Sequence, residues 1–176
     1  MKEPFASTLF TWCRRLADLN LLGPTPNGFK GSLSYRHGLG FVITSQQTSL
    51  KQPSSRDLVF VDAWNVNTGR IQAHGAGELT TTCLYHAMAY QNRAGAIFAI
   101  HAFNPGLEKT ARQMGLPETD GRFSPGDSRA VDTMTADLGK GNLLIMRDDG
   151  ILSIGCTADD AAVQILDLAQ RAGLNC

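Results

Sequence analysis

Three groups of polar residues in this chain stand where their side chains could do chemistry. His101 is the single polar residue in the apolar run Ala96–Phe103, and Asp149 lies in the turn that follows a later apolar run. Three consecutive threonines, Thr80–Thr82, come just before a helical pattern. An imidazole and a carboxylate can ligate a metal ion or move a proton, and threonine hydroxyls can bind a polar ligand. The sequence therefore offers the groups for metal-assisted or acid–base catalysis.

Each of these groups also has a structural explanation, and the sequence leaves both open. A lone histidine in an apolar strand is commonly a hydrogen-bonded core residue. Asp and Gly are the usual residues of tight turns, and threonine commonly caps a helix. The four cysteines show no Cys-x-x-Cys spacing, and no histidine is placed by a motif to activate any of them. A zinc ribbon, a redox pair and a catalytic cysteine are therefore not expected.

The elements that must position these groups can be predicted from periodicity and turn signals. Strands come in consecutive groups and do not alternate strictly with helices, which predicts an α/β fold with a mixed, mostly antiparallel central sheet covered by helices. Thr157, followed by two aspartates, predicts an N-terminal cap for the last helix. The predicted helices are 5–22, 80–93, 105–115, 128–138 and 158–172, and the predicted strands are 32–36, 39–44, 58–63, 70–72, 96–103, 142–146 and 151–154.

Length and composition limit the classes of protein that this chain can be. Its 176 residues, of which 43% are hydrophobic, predict a single domain over 1–176 with one compact core. Sixteen basic residues balance sixteen acidic ones, so no basic surface for nucleic acid or membrane headgroups is expected. No apolar run approaches the roughly 18–20 residues that span a bilayer, and Met1–Trp12 lacks the apolar core of a signal peptide. A reduced, cytoplasmic location is the expectation.

Six short segments, in order along the chain, resemble motifs of the class II aldolase/adducin family. Together they span roughly residues 5–173, so the resemblance in fold is more specific than any one segment. It implies a three-layer class II aldolase/adducin-like fold. The segments are Gly31-Ser32-Leu33-Ser34-Tyr35-Arg36, Phe41-Val42-Ile43-Thr44, Leu58-Val59-Phe60-Val61-Asp62, His86 to Arg93, Ala99-Ile100-His101 and Arg147-Asp148-Asp149-Gly150.

The resemblance also implies a chemistry. Members of this family are zinc enzymes, typically homotetramers, that act on small sugar phosphates or related carbonyl compounds. Two histidines from a His-x-His strand and one from a hairpin hold the zinc, and a glutamate at the start of the preceding helix takes part in proton transfer. Zinc polarises the carbonyl group and stabilises the enediolate, while the carboxylate moves the proton.

The chain departs from the family pattern at most of the positions that carry this chemistry. His101 matches the first histidine of the strand, but Phe103 stands at the position of the second. Asp149 takes the place of the hairpin histidine, and we expect that it would have to turn from the hairpin into the cleft to act as a ligand. Thr82 occupies the acid–base position of the glutamate.

The substrate-binding positions have changed as well. Ser32 replaces the family's asparagine, and Gln47 replaces the glycine of the anion-binding loop that follows Thr44. Glycine lets the backbone approach a phosphate closely, so the usual phosphate grip is not expected. Hydroxyl groups at or near these positions are candidates for binding a small polar metabolite: Ser32, Thr44, Thr80 and Thr81.

Three hypotheses follow from these departures. The preferred one is a divergent family member that has lost zinc-dependent retro-aldol cleavage and keeps the fold as a binding or assembly module, with no cofactor. The second is an active lyase or epimerase acting on a small carbonyl or sugar compound, with zinc held by His101, Asp149 and a third group such as His74 or His86. The third is a metal-free enzyme that uses Thr80–Thr82 and His101. The resemblance implies a homo-oligomer, with a tetramer as the first expectation.

Overall fold

Helices and strands follow one another in the predicted order in this computed structural model, which describes residues 5–25, 28–46, 49–121 and 128–174. None of the helices in these ranges is long and apolar enough to cross a membrane. The helices are α1 (Ala6–Asp18), α2 (Cys83–Asn92), α3 (Pro105–Gln113), α4 (Ser128–Leu138) and α5 (Ala158–Arg171). The strands are β1 (Pro24–Thr25), β2 (Gly28–Phe29), β3 (Ser32–His37), β4 (Gly40–Thr44), β5 (Leu58–Asn65), β6 (Arg70–Gly75), β7 (Phe98–Ala102), β8 (Leu143–Met146) and β9 (Gly150–Gly155).

Seven strands form one sheet in the order β6-β5-β4-β3-β7-β9-β8, and β1 and β2 form a separate two-stranded sheet. Every neighbouring pair of strands in the seven-stranded sheet is antiparallel. The sheet that the sequence predicts as mixed is thus antiparallel throughout its described strands. Two isolated parallel bridges, Leu22–Phe103 and Glu118–Ile145, lie outside these strand pairings. The apolar run around His101 forms β7, which lies inside the sheet between β3 and β9.

Helices cover both faces of the sheet, which gives the three predicted layers. The core on one face joins α1, α3 and α5 to sheet residues such as Tyr35 and Ile100, and the core on the other joins α2 and α4 to Ile43 and Ala99. Successive residues of a strand point to opposite faces of the sheet. His101, two residues after Ala99, therefore lies on the α2–α4 face.

Helix α2 lacks a polar face because it is buried on all sides. Every residue from Cys83 to Tyr90 is buried. The predicted start at Thr80 moves to Cys83, because Thr80 and Thr82 form a turn whose hydroxyl groups bond to each other and to the sheet. The helix in which the family-like segment from His86 begins is therefore an interior element.

Helix α5 begins where the sequence predicts. The Thr157 hydroxyl accepts the N–H of Asp160 at 3.0 Å, and the Asp160 carboxylate accepts the N–H of Thr157 at 3.0 Å. This capping box satisfies two backbone donors that would otherwise lack an intrahelical partner. The predicted cap at Thr157 is confirmed.

Candidate functional site

Asp149 is held in the interior by two partners from distant parts of the chain. Its Oδ1 lies 2.7 Å from Nζ of Lys30, and its Oδ2 accepts a hydrogen bond of 2.6 Å from the Tyr85 hydroxyl. Only 15% of its side chain is exposed. The turn between β8 and β9, in which Asp148 has a φ of +61°, already directs this carboxylate toward α2 and Lys30. The expectation that Asp149 would have to turn inward is therefore wrong.

His101 is fully buried and binds the backbone of the same turn. Its Nε2 lies 2.6 Å from the carbonyl oxygen of Asp149. A carbonyl oxygen only accepts, so Nε2 carries a proton. Burial lowers the pKa of His101, and it outweighs the nearby Asp149 carboxylate and carbonyl, which favour the imidazolium. The imidazole is therefore neutral, and Nε2 has no lone pair left for a metal ion in this arrangement.

Lys30 connects Asp149 with Phe103, the residue at the second family ligand position. Its Nζ lies 3.7 Å from the centroid of the Phe103 ring, a cation–π contact. The backbone N–H groups of Lys30 and Phe103 donate to carbonyls of residues 21–23, which fixes both backbones beside the same segment. We call this group of side chains the Lys30 centre; its members are Lys30, Tyr85, His101, Phe103 and Asp149.

A second cluster of polar side chains is buried between β3 and α2. Hydrogen bonds of 2.6 to 3.0 Å link each member to the next, and each member is buried. It runs from the turn before α2 to a tyrosine near the end of that helix. We call it the hydroxyl–imidazole chain; its members, in order, are Thr80, Thr82, Ser32, His86, Ser34 and Tyr90.

The hydrogen bond at the Tyr90 end indicates which group donates and which accepts along the hydroxyl–imidazole chain. The Tyr90 hydroxyl donates to the Ile97 carbonyl, so it accepts from Ser34, and Ser34 in turn accepts from Nδ1 of His86. Nε2 of His86 then accepts the Ser32 hydroxyl proton at 2.9 Å. Burial lowers the pKa of His86 to about 3, so the imidazole is neutral at physiological pH. The hydroxyl–imidazole chain is therefore an uncharged network in which every member is hydrogen-bonded.

Three predicted site residues meet in the hydroxyl–imidazole chain. Thr82, at the family's acid–base position, bonds to Ser32 at 2.6 Å and to Thr80 at 3.0 Å. Thr82 directly precedes α2, but its side chain makes no capping hydrogen bond to that helix. The capping explanation is therefore wrong for Thr82, whose hydroxyl group bonds to the sheet residue Ser32 and to Thr80; binding of a polar ligand by the threonines stays a prediction.

The other predicted substrate-binding residues lie outside that chain. The Thr44 hydroxyl is buried and accepts the N–H of Leu33 at 3.2 Å, so it serves the pairing of β3 with β4. Thr81 is exposed, and its N–H donates to the side-chain oxygen of Gln46 at 2.9 Å. Gln47, at the family's glycine position, lies outside the described residues.

Neither histidine considered as a third metal ligand is grouped with His101 and Asp149 in this structure. His74 lies on β6, four strand spacings from β7, or roughly 19 Å, and it bonds to Asp62 at 3.1 Å. Both ring nitrogens of His86 are hydrogen-bonded to serines. Within the described ranges, no three His, Cys, Asp or Glu side chains are grouped so that they could hold a metal ion.

The chemistry of the Lys30 centre does not fit zinc. Zinc needs lone pairs from nitrogen, sulfur or oxygen at about 2.0–2.3 Å. Nε2 of His101 is a hydrogen-bond donor here, and the lone pair of this imidazole is on the buried Nδ1. The Phe103 ring has no such lone pair, and the Asp149 carboxylate is already paired with an ammonium group.

Two members of the Lys30 centre carry no signal in the sequence. Lys30 follows a segment rich in proline and glycine, where a lysine is ordinarily a solvated surface residue. Tyr85 lies in a helix with no amphipathic pattern, so its direction could not be predicted from periodicity. Their roles come from contacts between residues 119 and 64 positions apart in the chain.

Comparison with known proteins agrees with this architecture. Residues 7–176 match the family model of the Class II Aldolase and Adducin N-terminal domain. No curated protein sequence matches the chain.

Solved structures from the same family superpose on nearly the whole chain. YgbL from Klebsiella pneumoniae has a TM-score of 0.73 at 14% identity, over 96% of this chain and 86% of YgbL. An L-fuculose 1-phosphate aldolase has a TM-score of 0.76 at 16% identity, over 98% of this chain and 85% of its own. The L-fuculose-1-phosphate aldolase from Thermus thermophilus has a TM-score of 0.70 at 17% identity, over 98% of this chain and 94% of its own. At these identities the structures establish the shared fold alone. Since the family model spans almost the entire sequence, the chain belongs to the class II aldolase and adducin family.

Proposed function

We propose that this protein is a metal-independent member of its family. It has lost zinc-dependent retro-aldol cleavage of sugar phosphates, and it uses the fold to bind a small polar metabolite in an assembly of identical chains. The observation that carries the proposal is the Lys30–Asp149 ion pair over the Phe103 ring. The Lys30 ammonium group contacts Phe103 and Asp149, which occupy two of the three positions that the family pattern assigns to metal ligands.

The hydroxyl–imidazole chain also argues against the family reaction. The family's metal-assisted retro-aldol cleavage uses a Lewis acid for the carbonyl oxygen and a base for the proton. Thr82 supplies a hydroxyl group where the base should be, and that hydroxyl is bonded to Ser32. His86, with a pKa of about 3, is a weak base whose Nε2 lone pair already accepts from Ser32.

The Lys30 centre can bind a polar ligand. The Lys30 side chain is 28% exposed, and an ammonium group has three N–H donors. Asp149 occupies one of them, so an oxygen atom of a small metabolite can accept from another. This contact needs no metal.

One observation favours a second candidate, an active lyase or epimerase with a rebuilt metal site. The Asp149 carboxylate and the His101 imidazole lie at the same turn, as two ligands would. This candidate requires the release of Asp149 from Lys30 and a third ligand.

Metal content and turnover separate the two candidates. We expect protein purified without chelator to hold well below one zinc per chain by elemental mass spectrometry. Added zinc should leave the melting temperature almost unchanged, because stabilisation requires binding to the native state. L-fuculose 1-phosphate, the compound in the names of two structural neighbours, should not be cleaved. A thermal-shift screen with small polar metabolites tests the binding role.

Stoichiometric zinc would support the rebuilt enzyme only if it were bound at this centre. His101→Ala should then abolish the zinc content, whereas His74→Ala, which removes an exposed histidine on β6, should leave it unchanged. Zinc that remains in His101→Ala would indicate binding elsewhere on the surface.

A further inference from the structure

Lys30 is more enclosed than the other lysines that form ion pairs in the described part of the chain. Its side chain is 28% exposed, against 53% for Lys51 and 63% for Lys140. Its Nζ is 2.7 Å from the Asp149 carboxylate and 3.7 Å from the centroid of the Phe103 ring. Its backbone N–H donates to carbonyls of the preceding segment. The charge is therefore held by a carboxylate and an aromatic ring, and hydrogen bonds fix the backbone that carries the side chain.

We infer that the Lys30 ammonium is the built-in cation of this centre: it keeps divalent metal ions out and supplies the positive charge that Asp149 would otherwise take from a metal. The inference rests on the proposed function and deepens it, because it names the residue that makes the centre metal-independent.

Charge and distance explain the exclusion. A zinc ion on the Asp149 carboxylate would lie about 2 Å from its oxygen, and so within roughly 5 Å of an ammonium group paired with the same carboxylate. Like charges this close repel strongly in a partly buried site, where the effective dielectric constant is well below that of water. To admit the ion, Lys30 would have to leave both Asp149 and the Phe103 ring. The same positive charge disfavours the imidazolium form of His101.

A pair of variants tests this role directly. Phe103→His supplies a second imidazole beside His101 and leaves the Lys30–Asp149 pair in place. Zinc chloride is titrated by calorimetry into chelator-stripped Phe103→His protein and into the same protein with Lys30→Met. We expect the loss of the ammonium group to tighten zinc binding by at least roughly tenfold.

A matched control removes a lysine outside the centre. Lys140 is paired with Asp137 at 2.6 Å, so Lys140→Met in the Phe103→His background deletes an equal charge and an equal ion pair. We expect its zinc affinity to equal that of Phe103→His alone. The melting temperature of each variant shows whether it is folded at the temperature of the titration. If Lys30→Met is unfolded at that temperature, Lys30→Gln replaces it, and the same tightening of zinc binding is expected.

Different zinc-binding results would overturn the inference and the proposed function. Equal zinc affinity with and without Lys30, whether tight or undetectable, overturns the inference, and so does an equal tightening by Lys140→Met. Wild-type protein that purifies with stoichiometric zinc at His101 overturns the proposed function instead.

Discussion

Buried His86 makes the folded state sensitive to acid. Its pKa falls from 6.5 to about 3 on folding, so between these values the unfolded chain binds a proton that the folded chain does not. The stability that neutral His86 contributes is therefore present above pH 6.5 and is lost as the pH falls toward 3. We expect His86 to contribute about 3 kcal/mol to the loss in the free energy of unfolding that urea denaturation measures between about pH 7 and about pH 4, and buried His101 to add to that loss.

Two histidine variants show whether His86 causes this loss. His86→Gln cannot take up a proton, so the free energy of unfolding should depend less on pH, even if the variant is less stable at neutral pH. His74→Gln removes an exposed histidine on β6 and should keep the wild-type slope. An unchanged slope in His86→Gln would contradict the assignment.

Ser34 is expected to matter more than an equally buried serine elsewhere in the sheet. Its hydroxyl joins Nδ1 of His86 at 2.7 Å to the Tyr90 hydroxyl at 2.8 Å. Ser34→Ala leaves two buried polar groups without this partner, which should lower the free energy of unfolding by about 2–4 kcal/mol. The Ser153 hydroxyl donates a hydrogen bond of 2.8 Å to the Ala161 carbonyl, so Ser153→Ala should cost about 1 kcal/mol.

Urea denaturation of the two serine variants gives the comparison. Both serines are fully buried on strands of the same sheet, so loss of the hydroxyl volume is matched. Equal losses of stability would mean that the hydroxyl–imidazole chain contributes no more than one ordinary hydrogen bond.

The turn between β8 and β9 depends on Gly150. This residue has a φ of +111°, and a Cβ there would collide with the carbonyl group of Ala102 and come within 3.3 Å of Nε2 of His101. Gly150→Ala should therefore lower the free energy of unfolding by several kcal/mol, because backbone strain and a steric clash act together. Thermal or urea denaturation measures the loss.

Gly38 provides the control for backbone strain alone. It also has a positive φ, +58°, but no atom lies within 4 Å of a Cβ built there. Gly38→Ala should cost about 1–2 kcal/mol from the left-handed conformation. If both alanine variants lost the same stability, close packing of the turn against β7 would not be what requires Gly150.

Assembly of identical chains is the prediction for the protein in solution. We predict a homo-oligomer, with a tetramer of about four times 19.0 kDa as the first expectation from the family. Large apolar side chains that remain exposed on one chain, Phe5, Leu39, Met114 and Val163, are candidate contacts. Light scattering at micromolar concentration measures the mass, and a value near 19.0 kDa would contradict the prediction.

The sequence predicts the fold better than it predicts the Lys30 centre, because the two depend on different ranges of interaction. The cap at Thr157 and the buried strand around His101 are set by neighbouring residues, and both are confirmed. The sequence also predicts the turn that contains Asp149 from neighbouring residues, but the direction of the Asp149 carboxylate depends on Lys30 and Tyr85, which are far away in the sequence. No periodicity or spacing encodes such contacts, so they became visible only in three dimensions.

The antiparallel order of the sheet divides its assembly into fast and slow steps. Strands β3 to β6 pair with their neighbours in sequence, and β8 pairs with β9, so both groups can form by closing short loops. β7 alone joins them, by pairing with β3, which ends at His37, and with β9, which begins at Gly150. Closing these long loops costs more chain entropy and slows folding. Because His101 lies on β7, its contact with the Asp149 backbone should form in this late step. Burial of the His101 imidazole during refolding would therefore report when β7 joins strands β3–β6 to strands β8 and β9.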